Sequence, residues 1–223
     1  MARYADASYW SERYTYDPEP FDWFQRFGTC GAFRHAIREA VPKPDQVLVV
    51  GAGTSRLAEE MFAAGYSNIF NLDISPVACK LLDERYERMG GLPIDNRIGD
   101  VQALSFNDAS FDTIIDKGTL DALLCAESAV GLAMLSEISR VLRSSGGIFV
   151  HVTDCPPDKR LPLLQNARFR WKLARHYTLP RSQQTHPQPT AKPLDSSSRV
   201  GLGLVSGTEP DQEDHHMFVF IRQ

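Results

Sequence analysis

Cysteine is sparse in this chain: four residues in 223, with no Cys-x-x-Cys pair. That excludes a disulfide framework and argues against a structural zinc. Cys30, Cys79, Cys125 and Cys155 fall in apolar or loop settings that suit free thiols in a reducing compartment. No apolar run approaches the roughly 20 residues that cross a bilayer, and the opening Met1-Ala2-Arg3-Tyr4-Ala5-Asp6 lacks an apolar signal core. The expectation is a protein without a membrane partner, cytoplasmic by default, with the nucleus open. Basic excess is missing too: 24 Lys and Arg stand against 28 Asp and Glu, a net charge of −4. A general nucleic-acid binder is therefore not expected.

What is present organises itself around Asp45 to Asp73. Val47-Leu48-Val49-Val50 is a continuous aliphatic run of the kind found in buried parallel strands. Gly51-Ala52-Gly53-Thr54-Ser55 follows, a turn in which two glycines leave the backbone bare for a ligand. A helix from Arg56 to Ala64 presents its N-terminus to the same gap. The next apolar run ends at Asp73, about twenty residues past the glycines, where a carboxylate meets a ribose diol. The unit points to an adenosine-containing ligand; an ordinary strand-turn-helix without ligand is the alternative.

A third glycine is also missing. Dinucleotide folds carry one where this chain has Arg56, and it lets the helix pack close while the pyrophosphate sits on its end. Nicotinamide and flavin cofactors lose ground, and S-adenosylmethionine, with ribose and adenine but no phosphate, gains it.

Aromatic residues crowd the first forty residues: Tyr4, Tyr9, Trp10, Tyr14, Tyr16, Phe21, Trp23, Phe24, Phe27 and Phe33. Most read as rings capping the sheet, but a sulfonium is well served by aromatic faces. One or two of Trp10, Tyr14 and Trp23 are expected at the cofactor. Thr29 to Val41 reads as a helix with Phe33, Ile37 and Val41 on one face, ended by Pro42 and Pro44. Ser75 caps a helix starting at Pro76 and stopped by Gly90-Gly91. Asn96 to Asp100 is a short strand whose closing acid lies near the adenine. Phe111 to Asp116 is a fourth strand, and Asp116, Lys117 and Gly118 at its tip are expected to border the pocket, since ligands bind outside the carboxyl ends of parallel strands. Thr119 to Ala126 begins a helix, Leu132 to Leu142 forms another, and Ile148 to Val152 is the fifth strand. Phe169 to Leu179 and His215 to Ile221 read as strands six and seven. Between them Pro180 to Asp214 is so rich in Pro, Ser, Gln, Thr and Gly that a disordered insertion is expected.

The division is thus an aromatic segment over residues 1–44 that covers the cofactor, a core over 45–179, the insertion 180–214 and a final strand 215–223. The fold class is α/β: a doubly wound, seven-stranded, mostly parallel sheet with an antiparallel C-terminal strand, the class I methyltransferase arrangement. At this point the chain resembles the methyltransferase-like proteins that include the lysine methyltransferases of translation elongation factor 1-alpha. The resemblance rests on Tyr9-Trp10-Ser11-Glu12-Arg13-Tyr14, Phe21-Asp22-Trp23-Phe24, Val49-Val50-Gly51-Ala52-Gly53-Thr54-Ser55 and Asp116-Lys117-Gly118-Thr119-Leu120-Asp121-Ala122-Leu123-Leu124. It implies that Trp10, Tyr14 and Trp23 fold over S-adenosylmethionine and that Gly51, with Gly53 in the same turn, approaches its methionine part. Asp73 and Ile74 would hold the ribose, Asp100 and Val101 the adenine, and Lys117 the far wall. It also implies a protein-lysine substrate of the elongation factor 1-alpha kind. Many members have Glu-Lys-Gly where this chain has Asp116-Lys117-Gly118.

A lysine acceptor must be neutral to attack, and its ordinary pKa is about 10.4. Asp116 or Asp121 is the expected group to orient the amine or take its proton. The Asn/Asp-Pro-Pro-aromatic pattern that holds planar nitrogens is absent at strand four, which tilts the acceptor away from adenine and glutamine. A small-molecule methyltransferase and an inactive methyltransferase-like binding module remain as alternatives. A monomer is expected. The basic cluster Lys159, Arg160, Arg168, Arg170, Lys172, Arg175 and Arg181 reads as a solvated face on a helix and an edge strand, with docking of an acidic protein face or RNA near the site as the alternative.

Overall fold

A computed structural model describes residues 4–126, 128–181 and 214–223. Seven strands form one sheet in the order β3-β2-β1-β4-β5-β7-β6: β1 Val47–Val50, β2 Ile69–Asp73, β3 Asp95–Ile98, β4 Thr113–Lys117, β5 Ile148–Thr153, β6 Trp171–Leu179 and β7 His215–Arg222. The first five pair in parallel, and β7 runs antiparallel to both β5 and β6. This is the doubly wound sheet expected. Strand order reverses between β1 and β4, which opens a crevice at their carboxyl ends.

Helices α1 Ala7–Tyr16, α2 Gly31–Ala40, α3 Leu57–Ala63, α4 Pro76–Arg88, α5 Thr119–Ala126, α6 Ser128–Val141 and α7 Pro157–Leu164 cover the sheet. Alternation along β1 divides the core into two layers. Val47 and Val49 pack with Phe33 and Ile37 of α2, Leu57 and Met61 of α3, and Leu82 and Tyr86 of α4. Leu48 and Val50 pack on the other face with Leu120 and Leu123 of α5 and Met134, Leu135 and Ile138 of α6. Both faces of a parallel sheet are thereby buried, which is why its strand reads as an unbroken apolar run.

Two helices depart from the expectation. The aromatic opening folds as α1, started by Asp6, whose carboxylate accepts the Ser8 amide at 2.8 Å. α7 begins with Pro157 and carries Pro162 in its interior, a residue that ordinarily argues against a helix. Strand four is displaced: it covers Thr113–Lys117 rather than 111–116, while Phe111 makes only an isolated bridge to Leu142. The expected insertion is bounded by β6 and β7, which pair antiparallel; its residues 182–213 lie outside those described. Cys30, Cys79, Cys125 and Cys155 are free thiols. Among the described residues no helix is long and apolar enough to cross a membrane.

Candidate active site

The carboxyl ends of β1, β2 and β4 and the segment holding α1 enclose a cavity of about 260 Å³. Trp10, Tyr14, Trp23, Gly51, Gly53, Asp73, Ile74, Asp100, Val101 and Lys117 all line it, so every residue expected at a cofactor is brought to one space. Its floor is the glycine turn. Gly51 and Gly53 adopt φ of +60° and +53°, and a Cβ on Gly51 would strike the Thr119 hydroxyl oxygen, one on Gly53 the Tyr14 hydroxyl at 2.6 Å. Only glycine tolerates both the conformation and the contact.

Asp73 ends β2 beside this turn, buried at 5% exposure. Its Oδ2 accepts the Gly53 amide at 2.7 Å and its Oδ1 the Ser75 amide at 2.9 Å. Burial pushes its carboxyl up to about 6, against the pull of the Ser75, Gly53 and Ile74 amides. Each oxygen keeps a lone pair for a hydroxyl donor. Across the turn Tyr14 stands with its hydroxyl pKa held well above the ordinary value by burial and by the Asp73 charge. Trp10 stacks on Tyr14 with ring centres 5.9 Å apart, and Phe21 meets Trp23 edge to face at 5.3 Å. Asp100 accepts the Gln102 amide at 2.8 Å and half-faces the cavity beside buried Val101.

Two residues, one at the wall and one just behind it, were not singled out by role from the sequence. Arg13 of α1 lines the cavity, stacked over Phe21 at 5.8 Å, and no carboxylate pairs with its guanidinium among the described residues. The helix spacing Trp10, Arg13, Tyr14 was the available signal, because positions three and four apart share a face. Asp22 is the second. Its carboxylate accepts the Ser55 hydroxyl, the Arg56 amide at 3.2 Å and the Lys117 ammonium at 3.1 Å. Burial opposes ionisation of Asp22, but the Lys117 charge and these donors outweigh it and hold its carboxyl below the usual range. Lys117 therefore lines the cavity with its ammonium turned to Asp22 and to the Trp23 carbonyl at 2.9 Å.

The structure does not bring Asp116 or Asp121 to the cavity wall, contrary to the expectation that either would orient or deprotonate an acceptor. Successive side chains in a strand face opposite sides of the sheet. Lys117 faces the cavity, so Asp116 turns away, fully buried: its Oδ1 accepts the Thr119 and Leu120 amides at 2.9 and 3.3 Å, and its Oδ2 lies 2.7 Å from His151 Nδ1. It caps α5. Thr119, Ala122 and Leu123 present the cavity face of that helix, which leaves Asp121 elsewhere, accepting from Thr153 and Arg160 at 2.6 Å each. Burial raises its pKa against the attraction of His151 and Arg160. Arg160 thus leaves the expected solvated basic face, whereas Arg175 stays on it, exposed and paired with Glu39.

The residues present fit an adenosine ligand without phosphate. The amide at the start of α3, where a dinucleotide would set its pyrophosphate, is taken by the chain's own Asp22 carboxylate. An acid stands at the end of β2, a second follows β3, and the aromatic rings of the first segment complete the enclosure. Fold and cavity together are those of the class I methyltransferase architecture, with a lining that suits S-adenosylmethionine.

Comparison with known proteins narrows this class. Residues 48–150 match the family model of the methyltransferase domain. The chain is 35% identical over 188 residues to EEF1A lysine methyltransferase 4 of Mus musculus, covering 79% of this chain and 71% of that protein, and 34% identical to its counterpart in Bos taurus, covering 82% and 74%. It is also 34% identical over 152 residues to the eEF1A lysine and N-terminal methyltransferase of Mus musculus, covering 64% of this chain but 21% of that longer protein. The chain belongs to the EEF1A lysine methyltransferase family of S-adenosylmethionine-dependent enzymes. Among solved structures, a SAM-dependent methyltransferase from Methanosarcina mazei superposes with a TM-score of 0.61 at 15% identity, covering 84% of this chain and 96% of that one. The [4+2]-cyclase SpnF superposes at 0.59 and 16% identity over 79% and 73%. A cyclase on the same scaffold shows that these likenesses establish fold alone.

Proposed function

We propose that this enzyme methylates a lysine side chain of translation elongation factor 1-alpha. The observation that carries the substrate is the 35% identity across 71% of a relative named for that activity. The site supports the chemistry. When bound, S-adenosylmethionine supplies a methyl carbon already activated by its sulfonium, so the protein's work is alignment and exclusion of water. Asp73 accepts the ribose hydroxyls with Ile74 alongside, and Asp100 and Val101 receive the adenine. Gly51 and Gly53 admit the methionine part, whose carboxylate pairs with Arg13. Trp10, Tyr14 and Trp23 close over the ligand and present ring faces to positive charge. The segment 1–44 acts as the cover, and 45–179 with 215–223 as the core.

Among the described residues no carboxylate that reaches the cavity stands free of this binding work, and Asp116 and Asp121 face elsewhere. The acceptor amine therefore loses its proton through desolvation in an aromatic slot, which lowers an amine's pKa, and not to a dedicated base. A protein acting on an elongation factor works in the cytoplasm. Incubation with radiolabelled S-adenosylmethionine and hypomethylated cell lysate, followed by size fractionation, tests the reading. It requires label in one band near the mass of the elongation factor, and label confined to the small-molecule fraction overturns it.

A further inference from the structure

Asp22 does not line the cavity, yet its neighbours Phe21 and Trp23 do. Its side chain is 7% exposed and that of Lys117 5%, so the pair lies almost wholly out of water. Through one carboxylate it joins three pieces of chain: the covering segment that carries it, the glycine turn through Ser55 and the Arg56 amide, and the end of β4 through Lys117. Lys117 returns a second bond to the Trp23 carbonyl. Further ties hold the cover along its length. The Phe21 amide donates to Thr54 Oγ1 at 3.2 Å, Thr54 Oγ1 donates to the Glu19 carbonyl at 3.1 Å, and Ser11 Oγ meets Ser75 Oγ at 3.0 Å. Of the ion pairs that tie residues 1–44 to the rest of the chain among the described residues, Asp22–Lys117 is the buried one; Arg26–Glu60 and Arg175–Glu39 are more exposed. Trp10, Tyr14, Phe21 and Trp23, all carried by this segment, line the cavity, so how firmly the segment is seated bears on how tightly a donor is held.

We propose that Asp22 is a positioning residue that closes the N-terminal segment over the methyl donor by pairing with Lys117, and so sets donor affinity without touching the donor. The inference rests on the reading of this cavity as the donor site. Breaking a buried pair by removing one partner strands the other charge, whereas removing both partners relieves it. That asymmetry separates closure from simple folding. Asp22→Asn leaves the Lys117 ammonium without its counter-charge, and Asp22→Asn with Lys117→Met removes both charges. If the closed state falls to about a tenth of the population, the apparent Kd rises about tenfold.

The experiment is calorimetric titration of the full chain with S-adenosylhomocysteine, alongside thermal unfolding without ligand. Expected are a Kd raised about tenfold or more in Asp22→Asn, and a double variant that recovers ligand-free stability while its Kd stays high. Asp22→Glu, which keeps the charge, should bind more tightly than Asp22→Asn. Should Asp22→Asn fail to fold, the double variant and Asp22→Glu carry the test through the same Kd comparison. Wild-type affinity in the folded charge-removing variants, or a double variant that recovers affinity together with stability, overturns the proposal. Failure of the wild-type protein to bind S-adenosylhomocysteine would instead overturn the reading of the cavity.

Discussion

Asp73 concentrates the argument about the donor in one carboxyl group, which its replacement by alanine removes. Both of its oxygens already accept backbone amides, Gly53 on one and Ser75 on the other, and ribose hydroxyls would add bonds to an ionised acceptor. Hydrogen bonds to charged groups contribute about 1.5–3 kcal/mol each, so Asp73→Ala should weaken S-adenosylhomocysteine binding about 10- to 150-fold at tenfold per 1.4 kcal/mol. The pH dependence follows from the same site. With its carboxyl raised to about 6, Asp73 takes up a proton on folding. Its contribution to stability is therefore present below the unfolded value near 3.9 and lost as pH rises through 6. Donor binding runs the other way because it needs the ionised form. The wild-type Kd should rise as pH falls below about 6, by up to tenfold per unit, while the Asp73→Ala variant stays flat across that range. Calorimetry at pH 5, 6, 7 and 8 measures both curves. Equal affinity in the two proteins at pH 8, or parallel pH profiles, would refute the placement of the ribose.

Other consequences are independent of that carboxyl. Arg13→Ala should weaken S-adenosylhomocysteine about tenfold or more, as loss of a charged partner does, yet leave 5′-methylthioadenosine, which has no carboxylate, bound as before; equal losses for both ligands would remove Arg13 from the carboxylate. Gly51→Ala should lower both the melting temperature and donor affinity, since a left-handed alanine costs about 1–2 kcal/mol and its Cβ would strike Thr119; a variant with unchanged values would contradict the cradle. Asp116→Ala should lower stability in urea unfolding, by about 1–3 kcal/mol for leaving the buried His151 Nδ1 without its partner and about 0.5–2 kcal/mol for uncapping α5. Per folded molecule Asp121→Asn should retain turnover, and a loss of several orders of magnitude in kcat with unchanged KM would restore Asp121 as a base.

Several of these residues were legible before any coordinates, and the reasons are local. Val47 to Val50 could only be a strand buried on both faces, and Asp73 sits a fixed distance beyond a glycine turn. The Ser75-Pro76 start of α4 follows from capping alone, and Ser75 Oγ does accept the Ala78 amide at 3.3 Å. The carboxylate of Asp116 was misplaced because the carboxyl end of the strand was read one residue early, at Asp116 instead of Lys117. The assumption that the last acid points at the ligand ignored which face it occupies. Gly118, at φ +89°, lets β4 run on to Lys117, and it is Lys117 that faces the cavity. Helix α1 was hidden because only Tyr14 of its residues is buried, so it has little apolar periodicity to show. The role of Asp22 was hidden for a different reason: its partners Ser55, Arg56 and Lys117 lie 33, 34 and 95 residues away, and no local pattern joins them.

The central claim is the identity of the acceptor, and purified elongation factor 1-alpha tests it most directly. The protein, with Asp73→Ala as control, is incubated with tritiated S-adenosylmethionine and unmethylated factor, and peptides are mapped by mass spectrometry. Methyl groups on one lysine, absent with the variant, are the predicted result. An unmodified factor in the presence of a protein that binds the donor with measurable affinity would contradict it.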